Sequence, residues 1–159
     1  MKSKYHFFIV AFLLVGLCSN AQFVKKHGQL SVKGTQLVDK NQNYIVLRGV
    51  SFGWHSMWPR FYNAKAVDWL KKDFNCTVVR AALGIEIGEY PYLKATEFSK
   101  EKLEAVVKGA IKSDIYVIIN WHSHNINLQE AKVFFAEMSK KYGKYPNVIY
   151  EVFNEPDYE

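Results

Sequence analysis

Val148-Ile149-Tyr150-Glu151-Val152-Phe153-Asn154-Glu155-Pro156 begins with β-branched and aromatic residues and ends in an Asn-Glu-Pro turn. The first part predicts a short strand. Pro156 ends it, because the proline ring keeps Glu155 extended and the missing N–H cannot continue a sheet ladder. A carboxylic acid held at a strand end, next to the amide of Asn154, suits acid–base chemistry on a sugar. A solvated glutamate in an ordinary loop is the alternative.

Three more apolar runs, at residues 45–50, 77–82 and 115–120, predict strands upstream of this one. Helical segments separate them, and such alternation demands a parallel sheet. A doubly wound nucleotide-binding fold would have a glycine-rich turn after its first strand, which Gly49 and Gly53 do not form. We therefore expect an α/β fold of the (β/α)8 TIM barrel type, with this chain covering about the first four βα units.

The helices between these strands have recognisable ends. Asn63 is an N-cap candidate for the first, Ser99 starts the second, and Asn127 with Glu130 resembles a capping box for the third, which ends at Gly143. The first two helices have apolar faces made of Val67, Leu70 and Phe74, and of Leu103, Val106, Val107, Ala110 and Ile111.

The first 21 residues have the features of a secretory signal peptide: Lys2 and Lys4, an apolar run over residues 7–17, and a small residue, Ala21, at the expected cleavage point. The apolar run is too short to span a bilayer easily. We expect a secreted or periplasmic protein without a membrane anchor after cleavage. Residues 22–44 then predict an N-terminal β-hairpin that caps the main domain.

Composition excludes several classes of protein. Hydrophobic residues make up 49% of the chain, as in a globular domain, and the formal net charge of +6 comes from scattered lysines. Because these form no basic stripe, we expect no nucleic-acid partner. Cys76 is the one cysteine beyond the leader, and its apolar neighbours indicate a buried, unreactive thiol.

Three motifs together resemble the amino-terminal half of a glycoside hydrolase family 5 endoglucanase, or cellulase. They are residues 78–82 (Val-Val-Arg-Ala-Ala), 120–122 (Asn-Trp-His) and 152–156 (Val-Phe-Asn-Glu-Pro), in that order. The resemblance runs from about Gly28 to Glu159. It implies that residues 45–159 are the first half of a (β/α)8 catalytic domain that cleaves β-1,4-glucan internally with retention, as a monomer and without a cofactor.

The resemblance also implies roles for four residues. Glu155 matches the acid/base, Asn154 the amide that binds the hydroxyl next to the anomeric carbon, His122 a residue that binds a sugar hydroxyl, and Arg80 one that orients the nucleophile. The nucleophile is expected near the end of a seventh strand, outside this chain, so we predict that residues 1–159 alone are inactive. Burial of Arg80 would require a carboxylate partner.

Aromatic residues near the predicted strand ends are candidates for stacking on glucose rings. We favour Trp58 over Trp54 and Trp121, which are also candidates; packing over the barrel rim is the alternative for each. Asn120 stands where many family members have aspartate, so no carboxylate role is expected there.

Competing hypotheses concern chemistry and specificity. His122 and His124 share a face of an extended chain, as in metal-dependent barrels. The remaining histidines of the mature chain, His27 and His55, lie elsewhere in the sequence, so we predict no metal site. The same motifs are compatible with a β-mannanase, a xyloglucanase or a non-catalytic carbohydrate-binding remnant.

Overall fold

The computed structural model describes residues 22–155, so the predicted signal peptide, Pro156 and the residues after it lie outside the described part. Its centre is a parallel sheet of four strands in the order β3-β4-β5-β6. Along the chain the elements are β3 (Gly49–Trp54), α2 (Ala64–Phe74), β4 (Val78–Gly84), α3 (Thr96–Ser113), β5 (Tyr116–His122), α4 (Leu128–Tyr142) and β6 (Val148–Glu151). Spatial order equals sequence order, as in consecutive strands of a barrel and unlike the reversed order of a doubly wound sheet.

Helices α2, α3 and α4 all cover the same face of this sheet. Val79, Ala81 and Leu83 of β4 and Val117, Ile119 and Trp121 of β5 point towards them, since alternate residues of a strand share a face. The buried residues that meet them from the helices are Val67, Leu103, Val106, Val107, Ala110, Phe134, Met138 and Tyr142. The apolar stripe predicted for the second helix is confirmed. The opposite face of the sheet contacts the N-terminal segment and carries the polar residues described below.

An N-terminal segment covers the amino ends of the strands on that opposite face. It contains a short helix, α1 (Phe23–His27), which the sequence did not predict, and an antiparallel hairpin of β1 (Ser31–Lys33) and β2 (Gln36–Val38). Val24 is buried against Val78 and Tyr116, and the Tyr116 hydroxyl donates to the Gly28 carbonyl at 2.6 Å. The boundaries proposed from sequence, 22–44 and 45–159, stay predictions.

Strand β3 lies later than the sequence predicted. Residues 45–50 were expected to form it, but Ile45 still donates to Leu37 of the hairpin, and the strand begins at Gly49. The strand then continues beside β4 as far as Trp54. The pairing shifts between Ser51 and Trp54, and the extra residue is accommodated by Gly53 at φ 70°, in the left-handed region that glycine tolerates.

Three helix predictions also need correction. α3 begins at Thr96, and Ser99 is buried within its first turn, where its hydroxyl donates to the Ala95 carbonyl at 2.8 Å. Asn127 precedes α4, but its side chain caps no helical N–H. Phe74 is 60% exposed at the last position of α2 and packs edge-on against Trp69 rather than joining the core. The Asn63 cap is confirmed, since its side chain accepts from the Ala66 N–H.

Within residues 22–155, no helix combines the length and apolar character needed to cross a bilayer.

Candidate active site

Polar side chains gather at the carboxyl ends of the strands, on the face that the helices leave open. In the parallel register, Ala82 of β4 lies beside Asn120 of β5, which lies beside Glu151 of β6, and Gly84 lies beside His122. Residues paired in this way point to the same side of a sheet. The small Ala82 and Gly84 leave space between the larger polar groups, and this is where parallel barrels carry their active sites.

Arg80 is held by two hydrogen bonds to one carboxylate. Its Nε donates to Glu151 Oε2 and its terminal nitrogen to Glu151 Oε1, both at 2.7 Å. The side chains are 24% and 33% exposed, so the pair is only partly screened by water. These bonds raise the pKa of Arg80 further. The carboxylate partner that burial of Arg80 required is therefore Glu151, a residue that the sequence interpretation overlooked.

Arg80 also positions Asn154. The same terminal nitrogen donates to Asn154 Oδ1 at 2.9 Å, and Asn154 is only 5% exposed. Its Nδ2 is buried and has no hydrogen-bond partner among residues 22–155. Buried amide donors are normally satisfied, so this group is available to an oxygen of a bound ligand.

His122 lies at the end of β5 with its ring against Trp54, the centroids 4.8 Å apart. Its Nδ1 is 2.8 Å from Asn120 Oδ1. Burial, together with the nearby positive charge of Arg80, lowers the pKa of His122 to about 4. The imidazole is therefore neutral near pH 7 and acts through hydrogen bonds rather than charge.

The three candidate tryptophans have different environments. Trp54 forms a wall beside His122 and His124, with ring centroids at 4.8 and 6.1 Å. Trp58 is 49% exposed in the loop after β3 and lies over Gly53. Trp121 is fully buried on the helix side, against Tyr92 and Phe134. The suggestion that Trp121 is a sugar platform is wrong, because the strand continues to His122 and neighbouring side chains point to opposite faces.

Glu155 follows Asn154 and is exposed. Its φ of 42° contradicts the expected extended conformation. The physical reason is that β6 ends at Glu151, so the chain is already turning when it reaches Glu155. A positive φ is uncommon for a residue with a side chain. The negative charge of Glu155 adds to the rise in the pKa of Arg80 and partly offsets the lowering of the pKa of His122.

Two polar clusters fasten the loops around these residues. His55 is buried; its Nδ1 accepts from the Gly84 N–H at 3.0 Å, and its Nε2 lies 2.8 Å from the Ser99 hydroxyl. Burial lowers the pKa of His55 to about 4. In the second cluster, Glu86 accepts from the amides of Asn125 and Asn127, so the loops after β4 and β5 are joined.

The structure brings Arg80, His122 and Asn154 together, with Glu155 adjacent, whereas Trp58 lies in the loop above Gly53. His27 lies at the other end of the sheet, bound to Asp39 at 3.0 Å. In the described range 22–155, no three His, Cys, Asp or Glu side chains are grouped so that they could hold a metal ion.

The family model described as Cellulase (glycosyl hydrolase family 5) matches residues 38–159. The chain belongs to glycoside hydrolase family 5. This family 5 chain is 43% identical over 129 residues to Endoglucanase Z of Dickeya dadantii (strain 3937), covering 75% of the chain and 30% of that relative. It is 39% identical over 135 residues to an endoglucanase of Clostridium saccharobutylicum, covering 82% of the chain and 30% of that relative.

Solved structures agree with the fold. A structure from Cytophaga hutchinsonii superposes with a TM-score of 0.81 at 47% identity, covering 84% of this family 5 chain and 44% of its own. The catalytic domain of Thermobifida fusca endoglucanase Cel5A superposes with a TM-score of 0.77 at 30% identity, covering 84% of this chain and 45% of its own. The predicted (β/α)8 barrel fold is confirmed, and the described residues supply four of its strands and the three helices between them. The chain spans about 30% of the length of the two curated relatives.

Proposed function

We propose that the protein carrying this chain is a secreted endo-β-1,4-glucanase that hydrolyses cellulose with retention of configuration. The observation that carries this proposal is the hydrogen-bonded group of Arg80, Glu151 and Asn154 at the carboxyl ends of the barrel strands. Among the described residues 22–155 the buried Nδ2 of Asn154, next to Glu155 in the chain, has no hydrogen-bond partner. Its membership of family 5 and the endoglucanase names of its relatives support the substrate class.

In this proposal Glu155 is the general acid and then the general base. As the acid it protonates the glycosidic oxygen of the leaving group, and as the base it removes a proton from the attacking water. Retention also requires a nucleophilic carboxylate about 5 Å away. We assign it to a later strand of the barrel, and accordingly propose that residues 1–159 alone do not turn over substrate.

The remaining predicted residues bind and orient the glucan. The Nδ2 of Asn154 donates to the hydroxyl next to the anomeric carbon, and Arg80 keeps that amide in position through Asn154 Oδ1. His122 binds a second hydroxyl. Trp58 offers an exposed indole face to a glucose ring, and Trp54, packed on His122, lines the cleft nearby.

Secretion is supported by the signal-like residues 1–21. We propose that the protein acts as a monomer on insoluble or soluble β-glucan, and that it needs no metal, cofactor, nucleic acid or membrane. Two carboxylates suffice for this chemistry.

The test uses the full-length protein and carboxymethylcellulose, with reducing ends as the readout. Glu155→Gln removes the transferable proton and should lower kcat at least about 100-fold. Glu101→Gln is the matched control, because Glu101 is exposed on α3, and it should leave kcat unchanged. Activity of Glu155→Gln equal to that of the control would exclude Glu155 from the mechanism. Faster hydrolysis of mannan or xyloglucan than of cellulose would contradict the assigned specificity.

A further inference from the structure

Asn120 and His122 lie two residues apart on β5, so both side chains are on the open face of the sheet. Asn120 is completely buried, and its Oδ1 lies 2.8 Å from His122 Nδ1. A carbonyl oxygen only accepts hydrogen bonds. The proton of this bond therefore belongs to Nδ1, and in the neutral imidazole Nε2 carries a lone pair.

The neighbouring strand favours this orientation of the Asn120 amide. Glu151 is the register partner of Asn120 on β6, and its carboxylate is on the same face. A carboxylate attracts the hydrogens of an amide and repels its oxygen. The Asn120 oxygen is accordingly favoured on the His122 side. Its Nδ2 has no hydrogen-bond partner among residues 22–155.

Charged groups around His122 determine whether the ring stays neutral. Arg80 and His124 disfavour a second proton, and Glu151 and Glu155 favour one. The Glu151 charge is already shared with Arg80 through two hydrogen bonds, and burial opposes any added charge. Asn120 contributes an acceptor without a negative charge, so the bond orders the ring without stabilising an imidazolium ion.

We propose that Asn120 is a positioning residue that fixes His122 in its Nδ1–H tautomer, so that Nε2 accepts a hydrogen bond from a hydroxyl of the bound ligand. The identity of that ligand as a glucan rests on the proposed function; the tautomer does not. The site then presents both kinds of partner, since Asn154 donates and His122 accepts. Each sugar hydroxyl can both donate and accept, so one hydroxyl can bind the Asn154 donor and a second the His122 acceptor.

The test is NMR of the full-length protein with ¹⁵N-labelled histidine, using long-range proton–nitrogen correlations at pH 7. The His122 signals are identified by their loss in His122→Gln. We expect Nδ1 to carry the proton and Nε2 to be unprotonated. A protonated Nε2 with a bare Nδ1 in the wild-type protein would overturn the proposal.

Variants at Asn120 supply a second measurement. Asn120→Asp keeps the acceptor and adds a charge, so the tautomer should persist while the pKa of His122 rises by about 1–3. Asn120→Leu, of similar volume but without an acceptor, should release the ring to a mixture of tautomers. Gln129→Glu adds the same charge on the exposed surface of α4 and should change neither property. An unchanged pKa in Asn120→Asp would contradict the proposed contact.

The two proposals can fail separately. A bare Nε2 in a protein without glucanase activity would refute the proposed function and leave the tautomer standing. A protonated Nε2 in an active glucanase would refute the tautomer alone.

Discussion

The pair formed by Arg80 and Glu151 can be tested by a double-mutant cycle. Arg80→Met and Glu151→Leu each remove one partner, and the double variant removes both charges. In each single variant the remaining charged group loses its oppositely charged hydrogen-bond partner. In the double variant neither charge is present, so no charge is left without a partner. We therefore expect each single change to be more destabilising than the double change.

The magnitude follows from the geometry. Two bonds of 2.7 Å join the groups, and a hydrogen bond involving a charged group contributes about 1.5–3 kcal/mol before screening. The side chains are 24% and 33% exposed, which places the pair between a surface ion pair of up to about 1 kcal/mol and a buried one whose disruption costs about 3–5 kcal/mol. We expect a coupling free energy of about 2 kcal/mol.

The assay is urea unfolding of the full-length protein and the three variants, followed by tryptophan fluorescence and repeated at high salt. Salt should weaken the coupling only slightly, since the pair is partly shielded from solvent. A matched cycle between Lys72 and Asp68, an exposed pair four residues apart on α2, should give a coupling below about 0.5 kcal/mol. If the effects of Arg80→Met and Glu151→Leu on the free energy of unfolding add to within about 0.5 kcal/mol, the two groups are not coupled as proposed.

Two further predictions concern burial and pH. Trp121→Ala should cost about 3–5 kcal/mol of stability, because the ring fills the core beneath α4. Trp58 is exposed, so Trp58→Ala should weaken glucan binding and leave the urea midpoint almost unchanged. Equal destabilisation by the two substitutions would contradict this placement of the two rings. His55 has a pKa of about 4 against 6.5 in the unfolded chain, so the unfolded state binds the extra proton and stability should fall as pH drops from 6.5 towards 4, by up to about 1.4 kcal/mol per pH unit. The pKa of His122 is also lowered to about 4, so His122 adds a similar contribution. His55→Gln should therefore reduce the slope by about half in urea titrations at pH 7, 6 and 5. An unchanged slope would show that His55 does not contribute to it.

Much of the fold could be predicted because burial on both sides makes a parallel strand apolar, as in residues 115–119. The exact position of β3 could not. Residues 45–48 are as apolar as those that follow, and the choice between them is made by pairing: Ile45 bonds to the hairpin while Gly49 begins the register with Val78. Such pairing joins distant parts of the chain and has no local signal.

The candidate site was predictable where a polar residue interrupts or ends an apolar strand, as at Arg80 and His122. Glu151 has the same signature, an acid closing the apolar run of β6, and it was missed because its partner lies on a strand two positions away. If β5 is extended to His122 and His122 faces the site, Trp121 must face the opposite side of the sheet, where the core lies. Extending β5 by two residues was the step that the sequence interpretation lacked.

The ion pair also links strand β6 to the proposed ligand site. Arg80 is on β4 and Glu151 on β6, so their bonds pass across β5 and join strands that are not neighbours. Within the described residues β6 is paired with β5 only, over four residues. Separation of β6 would break the contacts that orient Asn154 and, with them, the proposed hydroxyl site. By linkage, a ligand that binds only the docked arrangement stabilises it in proportion to RT ln(1 + [L]/Kd). Ligand affinity at Asn154 and the stability of the contact between β4 and β6 are therefore coupled through Arg80.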